Sequence, residues 1–125
     1  MIGIVLVSHL EEIASGIKKL LQEFNKTVAI TFAKTNGAIG TTFEAVQAAI
    51  DENPAEEILV FYDLGSSKIN AQLVIDLGST KQICILDTAL LESAFLATNL
   101  IGFDQDFKTI IAALRAEELK SKTNL

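Results

Sequence analysis

One histidine stands among these 125 residues. It is His9, and it follows the apolar run Ile2-Gly3-Ile4-Val5-Leu6-Val7 and Ser8. Imidazole is largely neutral near pH 7, and so nucleophilic, because its unperturbed pKa is about 6.5. Two further segments hold residues that suit such a nucleophile. Lys34-Thr35-Asn36-Gly37-Ala38-Ile39-Gly40-Thr41-Thr42 is rich in glycine and threonine. Asp63-Leu64-Gly65-Ser66-Ser67 supplies a carboxylate and two hydroxyls, and Asn70 follows closely. A nucleophile, a carboxylate, small hydroxyls and glycines form a set fit to handle a phosphoryl group. Glycine lets backbone N–H groups approach an anion. Helix N-termini add unpaired donors and partial positive charge, and they bias a nearby histidine toward its neutral form. Asp63, accepting a hydrogen bond from one ring nitrogen, would fix the tautomer and leave the other nitrogen to attack.

Each residue also has a plainer role. A histidine at a strand end can be a hydrogen-bonded loop residue and nothing more. Gly37 and Gly40 are ordinary turn residues. Thr41 with Glu44 reads as a capping box. Asp63 can cap the following helix, Ser66 and Ser67 are common in turns, and Lys68 reads as solvated. What raises the set above these readings is the prospect that the three segments meet.

The elements predict that they do. Ile2–Val7 reads as a strand, and a helix follows from about His9 to Phe24, with Ile13, Ile17, Leu20, Leu21 and Phe24 on one face. Val28–Phe32 is a second strand, and Ala33–Gly40 a loop. A helix from Thr41 runs through Val46 and Ile50 and stops before Asn53-Pro54. Ile58–Tyr62, wholly apolar, reads as a central third strand, with a helix near Lys68–Asp76 after it. Gln82–Leu86 is the fourth strand. Asp87-Thr88 would cap a helix over Ala89–Leu100, Gly102 would break it, and Asp104 would cap a last helix through Phe107, Ile110, Ile111 and Leu114. The tail Lys120–Leu125 is polar and reads as frayed.

Strands alternating with helices imply an α/β fold: a small, open, mainly parallel sheet of about four strands with helices on both faces. In such sheets ligands bind outside the carboxyl ends of the strands. Ser8-His9, the Gly37–Gly40 loop and Asp63 all fall there. Residues 1–125 read as a single domain, without repeats or linkers. So small a sheet leaves edges that a homodimer can cover. The apolar stretch Ala89–Leu96 reads as buried or as part of such an interface.

Composition removes several classes. Half of the residues are hydrophobic and the net charge is −6. An acidic chain is a poor nucleic-acid binder. The one cysteine, Cys84, lies within an apolar run and reads as a buried small hydrophobe, so neither an internal disulfide nor a zinc site of the usual ligands is expected. No apolar run is long enough to span a membrane, and no signal peptide precedes the first strand. A cytoplasmic location follows as the simplest expectation. Neither a P-loop nor a Gly-x-Gly-x-x-Gly fingerprint occurs, so no nucleotide is expected on this chain.

Taken together, Val7-Ser8-His9, Asn36-Gly37-Ala38-Ile39-Gly40-Thr41-Thr42 and Phe61-Tyr62-Asp63-Leu64-Gly65-Ser66-Ser67-Lys68-Ile69-Asn70-Ala71 resemble the mannose-family IIA domains of the phosphoenolpyruvate-dependent phosphotransferase system. The resemblance is closer to the phosphoryl-carrier subunits of dihydroxyacetone kinases. It extends to Asp87-Thr88-Ala89-Leu90-Leu91-Glu92 and covers nearly the whole chain. Asp63-Leu64-Gly65-Ser66 leans toward the kinase subunits, since sugar-transport relatives tend to carry Gly-Gly-Ser-Pro after the aspartate. The loop Ala33-Lys34-Thr35-Asn36-Gly37 departs from the Gly-Gly-Thr and acidic residue of relatives.

The resemblance implies that His9 takes a phosphoryl group from the histidine phosphocarrier protein HPr, on Nε2. It implies transfer to ADP, held with magnesium by a partner kinase subunit, and onward to dihydroxyacetone on a third subunit. Asp63 would orient His9, while Ser8, Gly37, Gly40, Thr41, Thr42, Gly65, Ser66 and Asn70 would line the phosphoryl site. The chain would bind no cofactor or metal itself, would use a separate protein as phosphodonor, and would be a homodimer. A IIA component of a mannose-type sugar transporter is the alternative within this chemistry. A receiver domain phosphorylated on aspartate would need clustered acids where Ser8-His9 stands. An interaction domain with an incidental histidine is the non-catalytic alternative.

Overall fold

The computed structural model describes residues 1–116; the polar tail expected over Lys120–Leu125 lies outside them. Four parallel strands, β1 (Ile2–Val7), β2 (Ala29–Phe32), β3 (Glu57–Tyr62) and β4 (Gln82–Leu86), form one sheet in the order β2-β1-β3-β4. The helices are α1 (Glu11–Phe24), α2 (Phe43–Glu52), α3 (Gly65–Leu77), α4 (Leu90–Gly102) and α5 (Phe107–Arg115). The expected α/β architecture is therefore present.

Strand alternation divides the core in two. Ile4, Leu6, Leu59 and Phe61 face α1, α4 and α5. Val5, Val7, Ile58 and Val60 face α2 and α3. With both faces covered, β1 and β3 are buried almost throughout, which accounts for their continuous apolar runs. The chain leaves β1 on one side to form β2 and then crosses to the other side for β3. The order of strands thus reverses between β1 and β3, the point at which open α/β sheets build their sites. The β1–β3 pairing runs from Ile2↔Glu57 to Val7↔Tyr62. Ser8-His9 and Asp63 therefore emerge side by side.

Several local expectations are corrected. The cap of α2 is Thr42, whose hydroxyl accepts from Ala45 N–H at 3.1 Å, so Thr41 and Glu44 form no capping box. Asp106, not Asp104, caps α5, accepting from Thr109 N–H at 2.8 Å. Neither Asp87 nor Thr88 caps α4, which starts after Ala89 without a side-chain cap. Asp87 instead accepts from the Tyr62 hydroxyl at 2.5 Å and pairs with Lys68 at 2.7 Å, so Lys68 is not simply solvated. Helix α3 starts at Gly65, which places Ser66 and Ser67 inside its first turn. Ile13, Leu20 and Phe24 share the predicted face of α1 but are partly exposed; only Ala14, Ile17 and Leu21 are buried there. Cys84 is only partly buried, with the Arg115 guanidinium 3.7 Å from its sulfur. Among the described residues no helix is long and apolar enough to cross a membrane.

A buried amide ties α2 to the sheet. Asn53 is 1 % exposed. Its Nδ2 donates to the carbonyls of Ile4 at 3.1 Å and Ala29 at 3.2 Å, while its Oδ1 accepts from Ala55 N–H at 3.0 Å. Gly3 makes room for it, since a Cβ there would lie 2.3 Å from Oδ1. Asn53→Ala leaves these buried groups unpaired and is expected to cost about 1–3 kcal/mol. Urea unfolding measures it; a midpoint equal to the parent's would show that the amide holds nothing.

Candidate active site

Ser8 and His9 leave β1 just before α1, and Asp63 leaves β3 just before α3. The pairing sets their distance. Asp63 N–H donates to the Val7 carbonyl at 3.2 Å, carrying the β1–β3 ladder one step past the strands. His9 N–H returns a bond to Asp63 Oδ2 at 2.9 Å.

The ring is held from both sides. Nδ1 lies 3.0 Å from Asp63 Oδ1, and Nε2 lies 2.7 Å from Ser66 Oγ. An ionised carboxylate only accepts, so the proton between His9 and Asp63 sits on Nδ1. Nε2 then presents its lone pair, and the Ser66 hydroxyl donates to it. Ser67, fully buried, places its Oγ 3.1 Å from both Nδ1 and Asp63 Oδ1.

Asp63 accepts from five groups: the Ser8 hydroxyl, His9 N–H, the His9 ring, Leu64 N–H at 2.7 Å and the Ser67 hydroxyl. Burial pushes its carboxyl upward, but bonds from His9 N–H, the His9 ring, Leu64 N–H and Ser8 outweigh it and hold the pKa at about 2. The N-terminus of α3 next to it also favours negative charge. Asp63 is thus a fixed anion at neutral pH. Its α3-cap reading is set aside, because the residue before α3 is Leu64 and Asp63 is turned to His9.

The other expected residues divide. Gly40 N–H donates to the His9 carbonyl at 2.8 Å, so the loop between β2 and α2 reaches the site. Gly37 and Gly40 have φ of 84° and 98°, a conformation that favours glycine. Thr41 and Asn70 bond to each other: Asn70 Nδ2 donates to the Thr41 carbonyl and hydroxyl at 3.2 and 3.1 Å. They tie the loop to α3. Thr42 is engaged in capping α2. Gly65 opens α3 beside Ser66. Ser67, offered by the sequence only as a hydroxyl of this segment, bonds both His9 and Asp63. Glu11, whose carboxylate bonds Thr35 and Asn36 N–H, carries no local signal of that contact. Among the described residues no cluster of three or more His, Cys, Asp or Glu is placed to hold a metal.

The site is thus an imidazole with one nitrogen anchored to a carboxylate, at the switch point of a four-stranded parallel sheet. A profile of the family described as PTS system fructose IIA component matches residues 3–111. The chain belongs to this family. It is 43 % identical over 110 residues to the PTS-dependent dihydroxyacetone kinase phosphotransferase subunit DhaM of Lactococcus lactis, spanning 86 % of this chain and 89 % of that one. It is 36 % identical over 120 residues to the phosphoryl donor subunit DhaM of PEP-dependent dihydroxyacetone kinase 1 of Listeria innocua, spanning 94 % and 96 %. The crystal structure of a protein of unknown function, EF1359, superposes with a TM-score of 0.77 at 29 % identity, over 89 % of this chain and 90 % of that one.

Proposed function

We infer that this chain is the phosphoryl carrier of a phosphoenolpyruvate-dependent dihydroxyacetone kinase. His9 accepts the phosphoryl group of phosphorylated HPr and passes it to ADP, held with magnesium on a nucleotide-binding partner subunit. The regenerated ATP then serves the dihydroxyacetone-binding subunit. The observation that carries this reading is the line Asp63 Oδ1···Nδ1 at 3.0 Å and Nε2···Ser66 Oγ at 2.7 Å. The subunit names of the relatives supply the kinase and its substrate.

In the first step Nε2 forms a bond to phosphorus as the phosphorus–nitrogen bond of HPr breaks. The imidazole gains positive charge, and ionised Asp63 on the opposite nitrogen stabilises it. Ser66 must turn from Nε2 for phosphorus to approach, and its hydroxyl can then donate to a phosphoryl oxygen. The Gly40 region and the first turn of α3 supply the surrounding backbone, with Ser8 bracing Asp63. In the second step the same bond breaks and the phosphorus passes to a β-phosphate oxygen of ADP. The carrier needs no metal or cofactor of its own, and the cytoplasm is the compartment this reading assigns. We assign a homodimer as well. Phe24 of α1 and Phe95 of α4 meet edge to face, and both are exposed, as are Leu20 of α1 and Leu91 of α4.

The test is incubation with phosphoenolpyruvate, the general phosphotransferase proteins and HPr, followed by intact mass. A gain of one phosphate is expected, and its loss on adding the kinase subunits and ADP. No gain would leave an interaction domain with an incidental histidine. The family description also names a sugar IIA component. On that reading the phosphate would pass to transporter components, and a strain lacking the chain would fail on a hexose rather than on dihydroxyacetone.

A further inference from the structure

The loop between β2 and α2 is fixed by bonds to other elements. Asn36, Gly37 and Gly40 take φ of 54°, 84° and 98°, left-handed values that asparagine and glycine adopt readily. Beyond Ala33, whose N–H bonds the Leu6 carbonyl, three ties hold the loop. Gly40 N–H reaches the His9 carbonyl, and Asn70 holds Thr41. The third tie is Glu11. Its Oε1 accepts from Thr35 N–H at 2.8 Å and from Asn36 N–H at 3.1 Å.

Glu11 stands two residues after His9, in the first turn of α1. Acidic residues there are ordinarily explained by the helix dipole. That explanation serves the exposed Glu12. It does not account for a carboxylate turned onto two consecutive amides of a different loop. Carboxylate bonds to backbone N–H are charge-assisted and about twice as strong as neutral ones. Consecutive amides followed by a positive-φ residue also form a concavity that binds anions. Here the anion is supplied by the protein itself.

Resting on the phosphoryl-carrier reading, we propose that Glu11 is a positioning residue: by holding the Thr35 and Asn36 amides it fixes the β2–α2 loop against His9 and sets the rate of phosphoryl transfer. Glu11 leaves those two amides with no role toward a phosphoryl group. It anchors the near end of the loop instead. The backbone of His9 is then framed on both sides, its N–H by Asp63 and its carbonyl by Gly40. Without Glu11 the loop beyond Ala33 keeps the ties at Gly40 and Thr41, and the first of these bears directly on His9. A misplacement on the order of 1 Å at a reacting group can cost about 10²-fold in rate.

Three variants of the full chain test this: Glu11→Ala, Glu11→Gln and Glu12→Ala. Rapid-quench transfer from phosphorylated HPr separates kcat from KM, and amide hydrogen exchange reports the loop. Glu11→Ala is expected to lower kcat/KM by about 10²-fold, chiefly in kcat. Exchange at Thr35 and Asn36 should quicken while β1 and β3 stay protected. Glu11→Gln keeps an acceptor oxygen and should recover most of the rate. Glu12→Ala removes the same charge from the same turn and should match the parent. Parent-like transfer in Glu11→Ala, an equal loss in Glu12→Ala, or exchange that quickens equally in the strands would each overturn the assignment. A parent that takes no phosphate on His9 overturns the carrier reading and the rate claim with it; exchange at Thr35 and Asn36 still decides whether Glu11 holds the loop.

Discussion

His9→Ala is expected to give a folded protein that accepts no phosphoryl group. The chain has no second imidazole to substitute for it. The fold should survive, because the ring is at the end of β1 and outside both core clusters. Asp63 also keeps the bonds from Ser8, His9 N–H, Leu64 N–H and Ser67 when the ring is removed. No buried charge is left without a partner, so the unfolding midpoint should move little. Intact mass after incubation with phosphoenolpyruvate, the general proteins and HPr reads the outcome. In the parent the phosphate should be lost in brief acid and survive base, as a phosphorus–nitrogen bond requires. Acid-stable phosphate on His9→Ala would place the chemistry on a hydroxyl or carboxyl and sink the assignment.

Asp63→Asn is expected to slow transfer by about 10² to 10⁴, the range of positioned acid–base and electrostatic helpers. The amide can still meet Nδ1–H through its oxygen, but it carries no charge to balance the imidazolium that forms as Nε2 attacks. The variant should also lose stability. Asp63 accepts from five donors, and an amide turns an NH2 group toward some of them. A loss of about 1–3 kcal/mol is expected at neutral pH. Its pH dependence has a definite sign. The folded pKa is about 2, below the ordinary 3.8. The carboxylate's contribution is therefore complete above about pH 3.8 and disappears as pH falls through about 2. Parent and variant stabilities should converge over that interval. Rapid-quench transfer at a temperature where both are folded isolates the rate. A rate within about twofold of the parent, far below the range for such helpers, would reduce Asp63 to a structural acceptor.

The fold was legible because its signals are local and strong. Ile2–Val7 and Gln82–Leu86 read as strands from their apolar runs, and both match in the structure. His9 and Asp63 could be paired because both end strands, and the switch point makes those strands neighbours. Caps were less legible. Thr41 and Thr42, or Asp104 and Asp106, have the same propensity, and only backbone geometry chooses between them. Contacts between distant segments had no local trace. Glu11 meets a loop 24 residues away, and Asn70 meets Thr41 across 29. Tertiary structure turns these side chains from generic first-turn acid and helix amide into fasteners. Leu20 and Phe24 erred the other way: their helical spacing was apolar, but α4 covers the face only in part.

The β1–β3 register ends at Val7↔Tyr62, immediately before Ser8-His9 and Asp63. The bond between His9 and Asp63 spans 54 residues of chain. Joining two parallel strands across such a separation is among the slower events of folding, because loop closure comes before the contacts that compensate it. A nascent or partly unfolded chain can form helices and turns and still lack the anchored imidazole. On the carrier reading, competence to carry phosphate is expected to arise only with the joining of β1 and β3. A chain whose two halves are not joined lacks the His9–Asp63 pair.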